Sequence, residues 1–252
     1  MRKDWLDDQA VRRSAQSGLL GLSFLLWAVV AYTSDLGAEL QAKQDPVAPL
    51  TRPAAAHKPG ADFGQQSASA HAQHVAHGVM ASGDHQGLPF VVVDKIHARV
   101  FVFNRSGQLL GSAPALVGLA RGDEAVPGIG ERPLSQIQPH ERITPAGRFL
   151  AELDRNAAGQ TILWVDYEQA ISLHPVRSLN PQERRLERLA SASLQDKRIS
   201  YGCINVPTQF WHAVVLPAFR NTRGVVYVLP DSRPLNSVFA HLLQIKEKAV
   251  AN

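Results

Sequence analysis

Cys203 is the only cysteine in the chain, and it stands in the hexapeptide Ser200-Tyr201-Gly202-Cys203-Ile204-Asn205. A thiol that cannot close an internal disulfide is either a small buried hydrophobe or a reagent. Upstream, the alternating run Ile171-Ser172-Leu173-His174-Pro175 reads as a strand ending in a histidine, where an imidazole can serve as a positioned base. Together they suggest nucleophilic catalysis: His174 takes the thiol proton, or pre-forms a thiolate–imidazolium pair, and the sulfur attacks a carbonyl to give a thioester. Gly202 lets a substrate backbone approach closely, and its amide is expected to face the oxyanion. A carbonyl or carboxylate must orient the imidazole through its other nitrogen. The competing reading of each residue is structural: an inert core thiol, a satisfied strand histidine, and Ser200 and Asn205 as polar supports of the loop.

The elements that would position these groups are mostly short strands. Phe90-Val91-Val92-Val93-Asp94, Arg99-Val100-Phe101-Val102-Phe103 and Gln108-Leu109-Leu110 follow one another across turn residues, and Ala115–Gly118 adds a further short run. Arg148–Leu153, Thr161–Asp166, Ala170–His174 and Val225–Leu229 complete the series, which predicts a β-sandwich or barrel. Residues 122–142 are turn-rich and read as a long loop. Helices are predicted after an Asn180 N-cap as far as Gln195, over Thr208–Phe219 with a stop or kink at Pro217, and in the tail from Asn236 to Lys248.

Several separated motifs, in order, resemble the L,D-transpeptidase catalytic domain, also called the YkuD domain. Its signature is a histidine followed by Ser/Thr-His-Gly-Cys-hydrophobic-Asn/Arg; Ser200, Gly202, Cys203, Ile204 and Asn205 match, with Tyr201 where the family often has histidine. Thr144-Pro145-Ala146-Gly147-Arg148-Phe149 is similar to the family's Thr-Pro-x-Gly-x-Phe entry into a strand. The likeness runs from about Leu88 to Asp231. It implies Cys203 as nucleophile, His174 as base and acid, the Pro175 backbone carbonyl as the group orienting His174, and Gly202 as an oxyanion-hole amide. Ser200, Tyr201, Asn205, Arg148 and Arg177 would support the site or hold a substrate carboxylate. Three departures are visible: a longer His174-to-Cys203 interval filled by a charged segment, Pro175 where the family has a small residue, and Tyr201 beside the thiol.

Composition sets the surroundings. The 252 residues, 45% hydrophobic with a formal net charge of +4, describe a globular protein with extra sequence and no basic, aromatic-laced helix of the kind that would point to nucleic acid. Residues 1–13 carry Arg2, Lys3, Arg12 and Arg13, and residues 14–34 are uncharged and largely apolar. This predicts a single-pass signal anchor in the inner membrane with the remainder facing the periplasm or cell wall; a cleaved signal peptide is the other reading. Residues 35–87, poor in large apolar side chains, are expected to be a disordered linker. Residues 88–231 form the expected mainly β catalytic domain, an L,D-transpeptidase-like sandwich with a few short helices, and 232–252 a helical tail.

The resemblance implies cysteine-dependent acyl transfer on peptidoglycan stem peptides: a 3→3 cross-link with a stem amine as acceptor, carboxypeptidase action with water, or anchoring with a protein lysine. The alternative from another class is a catalytically inactive wall-binding scaffold of the same fold. Thiol chemistry calls for no metal and no organic cofactor. The histidines His57, His71, His74, His77 and His85 of the linker lack a fold that would fix ligand geometry.

Overall fold

A computed structural model describes residues 60–243 of the chain. The predicted anchor at 14–34 and the linker before residue 60 lie outside the described residues. Among the described residues no helix is long and apolar enough to cross a membrane.

The architecture is mainly β with few helices. The elements are α1 (Ala70–Ser82), β1 (Phe90–Asp94), β2 (Arg99–Phe103), β3 (Leu109–Pro114), β4 (Val117–Gly118), β5 (Gly147–Arg155), β6 (Thr161–Asp166), β7 (Ile171–Pro175), α2 (Arg185–Ala190), β8 (Arg198–Ser200) and β9 (Ile204–Val206). A three-part helix α3 follows (Thr208–Phe210, a π-helical turn Trp211–Val215, and Leu216–Phe219), then β10 (Gly224–Val228) and α4 (Leu235–Leu243). In place of two separate sheets, eight strands form one continuous mixed sheet in the order β3-β2-β1-β10-β5-β6-β7-β9, while β4 and β8 pair apart from it. The join is β5: Gly147–Ala151 pair with β10, and Glu152–Arg155 with β6.

Alternation along the strands builds two cores. Val91, Val93, Val100, Val102, Val226 and Val228 from one half of the sheet meet Leu163, Leu173, Ile204 and Val206 from the other, around Trp211, Val215 and Phe219 of α3. The intervening residues Phe90, Val92, Phe101, Phe103, Val225 and Tyr227 face the opposite way and are covered by α1 and α4. That double cover explains why β1 and β10 are buried at every position.

The expectation of a disordered linker up to residue 87 is corrected by α1. Its N-cap Ser69 accepts from the Ala72 amide, Gly83 closes it in the left-handed conformation, and Ala72, Val75, Ala76 and Val79 are buried. Small side chains suffice because the helices touch backbone to backbone: a Cβ on Gly78 would stand 2.4 Å from the Leu242 carbonyl oxygen. The folded region thus extends beyond the expected 88–231 at both ends. The charged helix expected through Gln195 ends at Ala190, after a 3-10 turn at Pro181–Glu183 whose Gln182 amide is accepted by Asn180 Oδ1. Pro217 does not stop α3. Lacking an N–H, it cannot continue the i→i−4 ladder, and the π turn before it closes with the Leu216 amide on the Trp211 carbonyl. The long loop carries three short 3-10 turns, at Ile129–Glu131, Leu134–Gln136 and Pro139–Glu141.

Candidate active site

The parallel pairing of β7 and β9 places Leu173 beside Ile204 and His174 beside Asn205. Leu173 and Ile204 point into the core. Period-two alternation therefore sends Ser172, His174 and Asn205 to the opposite face, where Cys203, the residue just ahead of β9, also lies. The sulfur is half-buried; it accepts from Ser172 Oγ at 3.5 Å and lies 3.5 Å from the Ala170 carbonyl oxygen.

The Tyr201–Cys203 bend that carries the sulfur is held by two hydroxyls. Ser200 Oγ accepts from the Gly202 amide at 3.1 Å and donates to the Cys203 carbonyl at 2.6 Å. Thr144 Oγ1 donates to the Gly202 carbonyl at 2.7 Å and accepts from the Gly118 amide at 2.8 Å. Gly202 has φ +132, and a Cβ there would stand 2.6 Å from Ile171 Cδ1 and 2.7 Å from the Ile143 oxygen. The position requires glycine on both counts. One expectation is corrected: the Gly202 amide does not face an open oxyanion site, because Ser200 Oγ already occupies it as part of the bend.

His174 Nδ1 lies 2.9 Å from the Pro175 carbonyl oxygen, and Nε2 lies 3.2 Å from Asn205 Nδ2. Burial, followed by the charges of Arg177 and Arg185, pushes the imidazole down to about 4, against the raising effect of the Pro175 carbonyl. The ring is consequently neutral around pH 7. Asn205, fully buried, accepts from Arg185 Nη1 through its Oδ1 at 2.6 Å.

The other expected residues fall as follows. Tyr201 is half-buried with the Arg142 guanidinium stacked 3.9 Å from its ring centroid, a cation–π contact beside the thiol. Arg177 lies close enough to His174 for its charge to act on the ring. Arg148 is removed from the site. Its Nε donates to Asp84 Oδ2 at 2.6 Å and its Nη2 to the Asp84 carbonyl at 2.9 Å, and Asp84 also accepts from Tyr227. This guanidinium fastens the turn after α1 to β5 through Asp84.

Sequence reasoning missed Ser172, Arg142, Arg185 and the part played by the Thr144 hydroxyl. Ser172 was findable, being two residues from His174 on an alternating strand. Arg185 had no local signal, since its partner lies on another element. Among the described residues no group of three or more His, Cys, Asp or Glu side chains could hold a metal ion.

Comparison with known proteins gives no match to any protein-family model and none to curated proteins by sequence. Among solved structures, the helical cell shape determining protein Pgp2 from Campylobacter jejuni is similar at 12% identity and TM-score 0.38, over 58% of this chain and 49% of that one. The catalytic domain of an E. faecium L,D-transpeptidase aligns at 16% identity and TM-score 0.30, over 56% of this chain and 96% of that one. An L,D-transpeptidase from Stackebrandtia nassauensis aligns at 16% identity and TM-score 0.32, over 66% and 69%. The chain thus spans about half the length of the first of these.

Proposed function

We propose that the chain is a cysteine acyltransferase of the L,D-transpeptidase type acting on peptidoglycan stem peptides. The observation that carries this is one face of the β7/β9 ladder. It presents a half-buried thiol with a serine on its sulfur and, one register step along, an imidazole whose Nδ1 is held by the Pro175 carbonyl. The ordered sequence motifs around Thr144 and Cys203 support the same reading.

In this mechanism Cys203 Sγ attacks the carbonyl of the stem's third, diaminoacyl residue while its proton passes to His174 Nε2. Collapse of the tetrahedral adduct breaks the peptide bond, and the imidazolium gives that proton to the departing amine of D-alanine. A side-chain amine of a second stem then attacks the thioester, forming the 3→3 cross-link and returning the proton to sulfur. Water in that second step gives a shortened stem. The Arg142 and Arg177 cations suit a substrate rich in carboxylates. The proposal includes an envelope location, with residues 14–34 as the membrane anchor.

The test is to incubate the full chain with disaccharide-tetrapeptides and read products by mass spectrometry. Cross-linked dimers with loss of D-alanine, absent in Cys203→Ser, are expected. Unchanged substrate and an unmodified Cys203 in a folded sample would instead favour the inactive scaffold.

A further inference from the structure

The state of His174 is set from the far end of a chain of hydrogen bonds. The Arg185 guanidinium has donors only: Nε goes to Glu183 Oε2 at 2.5 Å and Nη1 to Asn205 Oδ1 at 2.6 Å. With its oxygen so engaged, Asn205 must turn its NH2 toward His174 Nε2, at 3.2 Å. An amide NH2 cannot accept, so Nε2 accepts and the ring proton sits on Nδ1. There it meets the Pro175 carbonyl at 2.9 Å, an acceptor that cannot donate. No other placement of the proton and the amide satisfies all of these contacts together.

Neither Asn205 nor Arg185 is placed to drift. The backbone N–H of Asn205 donates to the Leu116 carbonyl at 2.9 Å, and its backbone carbonyl accepts from the Leu116 N–H at 2.8 Å. Arg185 opens α2, which Leu189 anchors beside Leu116 and Val176. Lys197 Nζ holds the Arg188 and Leu189 carbonyls at 3.0 and 2.7 Å, and Arg188 Nε reaches the Glu183 carbonyl at 3.0 Å. This helix belongs to the segment inserted between His174 and Cys203.

We propose that Arg185 is a positioning residue that acts through Asn205: it holds His174 as the neutral Nδ1–H imidazole and keeps the lone pair of Nε2 occupied. Proton transfer from Cys203 then begins only once Asn205 releases Nε2. This rests on the reading of His174 as the base of an acyltransferase. Without Arg185, the Asn205 amide is free to reverse and accept from an Nε2–H, which favours the imidazolium. Loss of the Arg185 charge acts in the same direction, while Arg177, the other cation facing the ring, remains.

The test uses isotope-labelled full-length protein, with the imidazole 15N shifts followed against pH. Wild type should show its proton on Nδ1. Arg185→Met, which keeps the apolar stem, should raise the His174 titration by about one pH unit and let the 15N shifts report a population with the proton on Nε2. Arg185→Lys, retaining charge and a donor, should restore both toward wild type. A folded Arg185→Met with an unmoved titration overturns the proposal, and so does a wild-type ring protonated on Nε2, a measurement that needs no variant. Failure of the acyltransferase reading shows separately, as disaccharide-tetrapeptides left unchanged by the folded wild-type chain, while the tautomer and the titration still judge the role of Arg185.

Discussion

At Cys203 the backbone is tied down before any substrate arrives, because the carbonyls of Gly202 and Cys203 are each held by a buried hydroxyl. Gly202→Ala should therefore lower stability by about 2 kcal/mol or more, through left-handed strain and the clash with Ile171 and the Ile143 carbonyl; urea unfolding measures it. His174 gives a second expectation. Its folded pKa of about 4 lies below the unfolded value near 6.5, so the unfolded chain binds more protons between these limits, and stability falls as pH drops through that window. The loss approaches about 3 kcal/mol at full effect, before allowance for the partial exposure of the ring. His174→Gln should flatten the stability difference between pH 7 and pH 4. Cys203 and His174 were legible from the lone thiol after a glycine and from the histidine that ends an alternating run, and Asn205 from the motif around the cysteine, not from strand pairing. The occupied Gly202 amide was not, since which hydroxyl reaches a backbone N–H depends on a bend that no periodicity encodes.

Among the elements, α1 shows how composition misleads. Its residues looked like linker because they are mostly Ala, His, Gln and Gly. Yet Ala72, Val75, Ala76 and Val79 follow helical spacing, between a serine N-cap and a glycine C-cap, which is an ordinary helix signature. What outweighed it was the absence of large apolar side chains, and a close crossing such as that at Gly78 favours small ones. A chain starting at Leu88 would strip this cover from Phe90, Val92, Phe101 and Phe103. It should expose that face to a hydrophobic dye and melt at lower temperature than one starting at residue 60. Within the helix, Val79→Ala should cost about 1–2 kcal/mol as a cavity in the outer core. The strands β1, β2 and β6 were read almost to the residue from their β-branched and aromatic runs. The three-residue strands β8 and β9 escaped because segments so short carry too few residues to show a period.

Across the whole molecule, a buried ionic cluster fastens the long loop to the sheet. Lys95 Nζ reaches Asp123 Oδ1 at 2.8 Å, the Gly122 and Thr144 carbonyls at 2.6 and 2.8 Å, and Asp231 at 3.7 Å, and Arg198 also pairs with Asp231. Desolvation dominates the Lys95 environment and lowers its pKa, while the two aspartates oppose that effect. Lys95→Met would leave Asp123, almost wholly buried, with backbone amides for partners and no cation, and should cost about 3–5 kcal/mol, read by denaturant titration. Since Thr144 also holds the Gly202 carbonyl, the same variant should loosen the bend under Cys203, visible as altered alkylation. The placement of β10 between β1 and β5 has a further consequence. It joins β1 in parallel and β5 antiparallel, so without it the strands split into a three-stranded ribbon and a four-stranded one sharing no edge. A growing polypeptide therefore cannot close this sheet until Val228 has been added. Until then the edges of β1 and β5 stand open to pairing with any other strand.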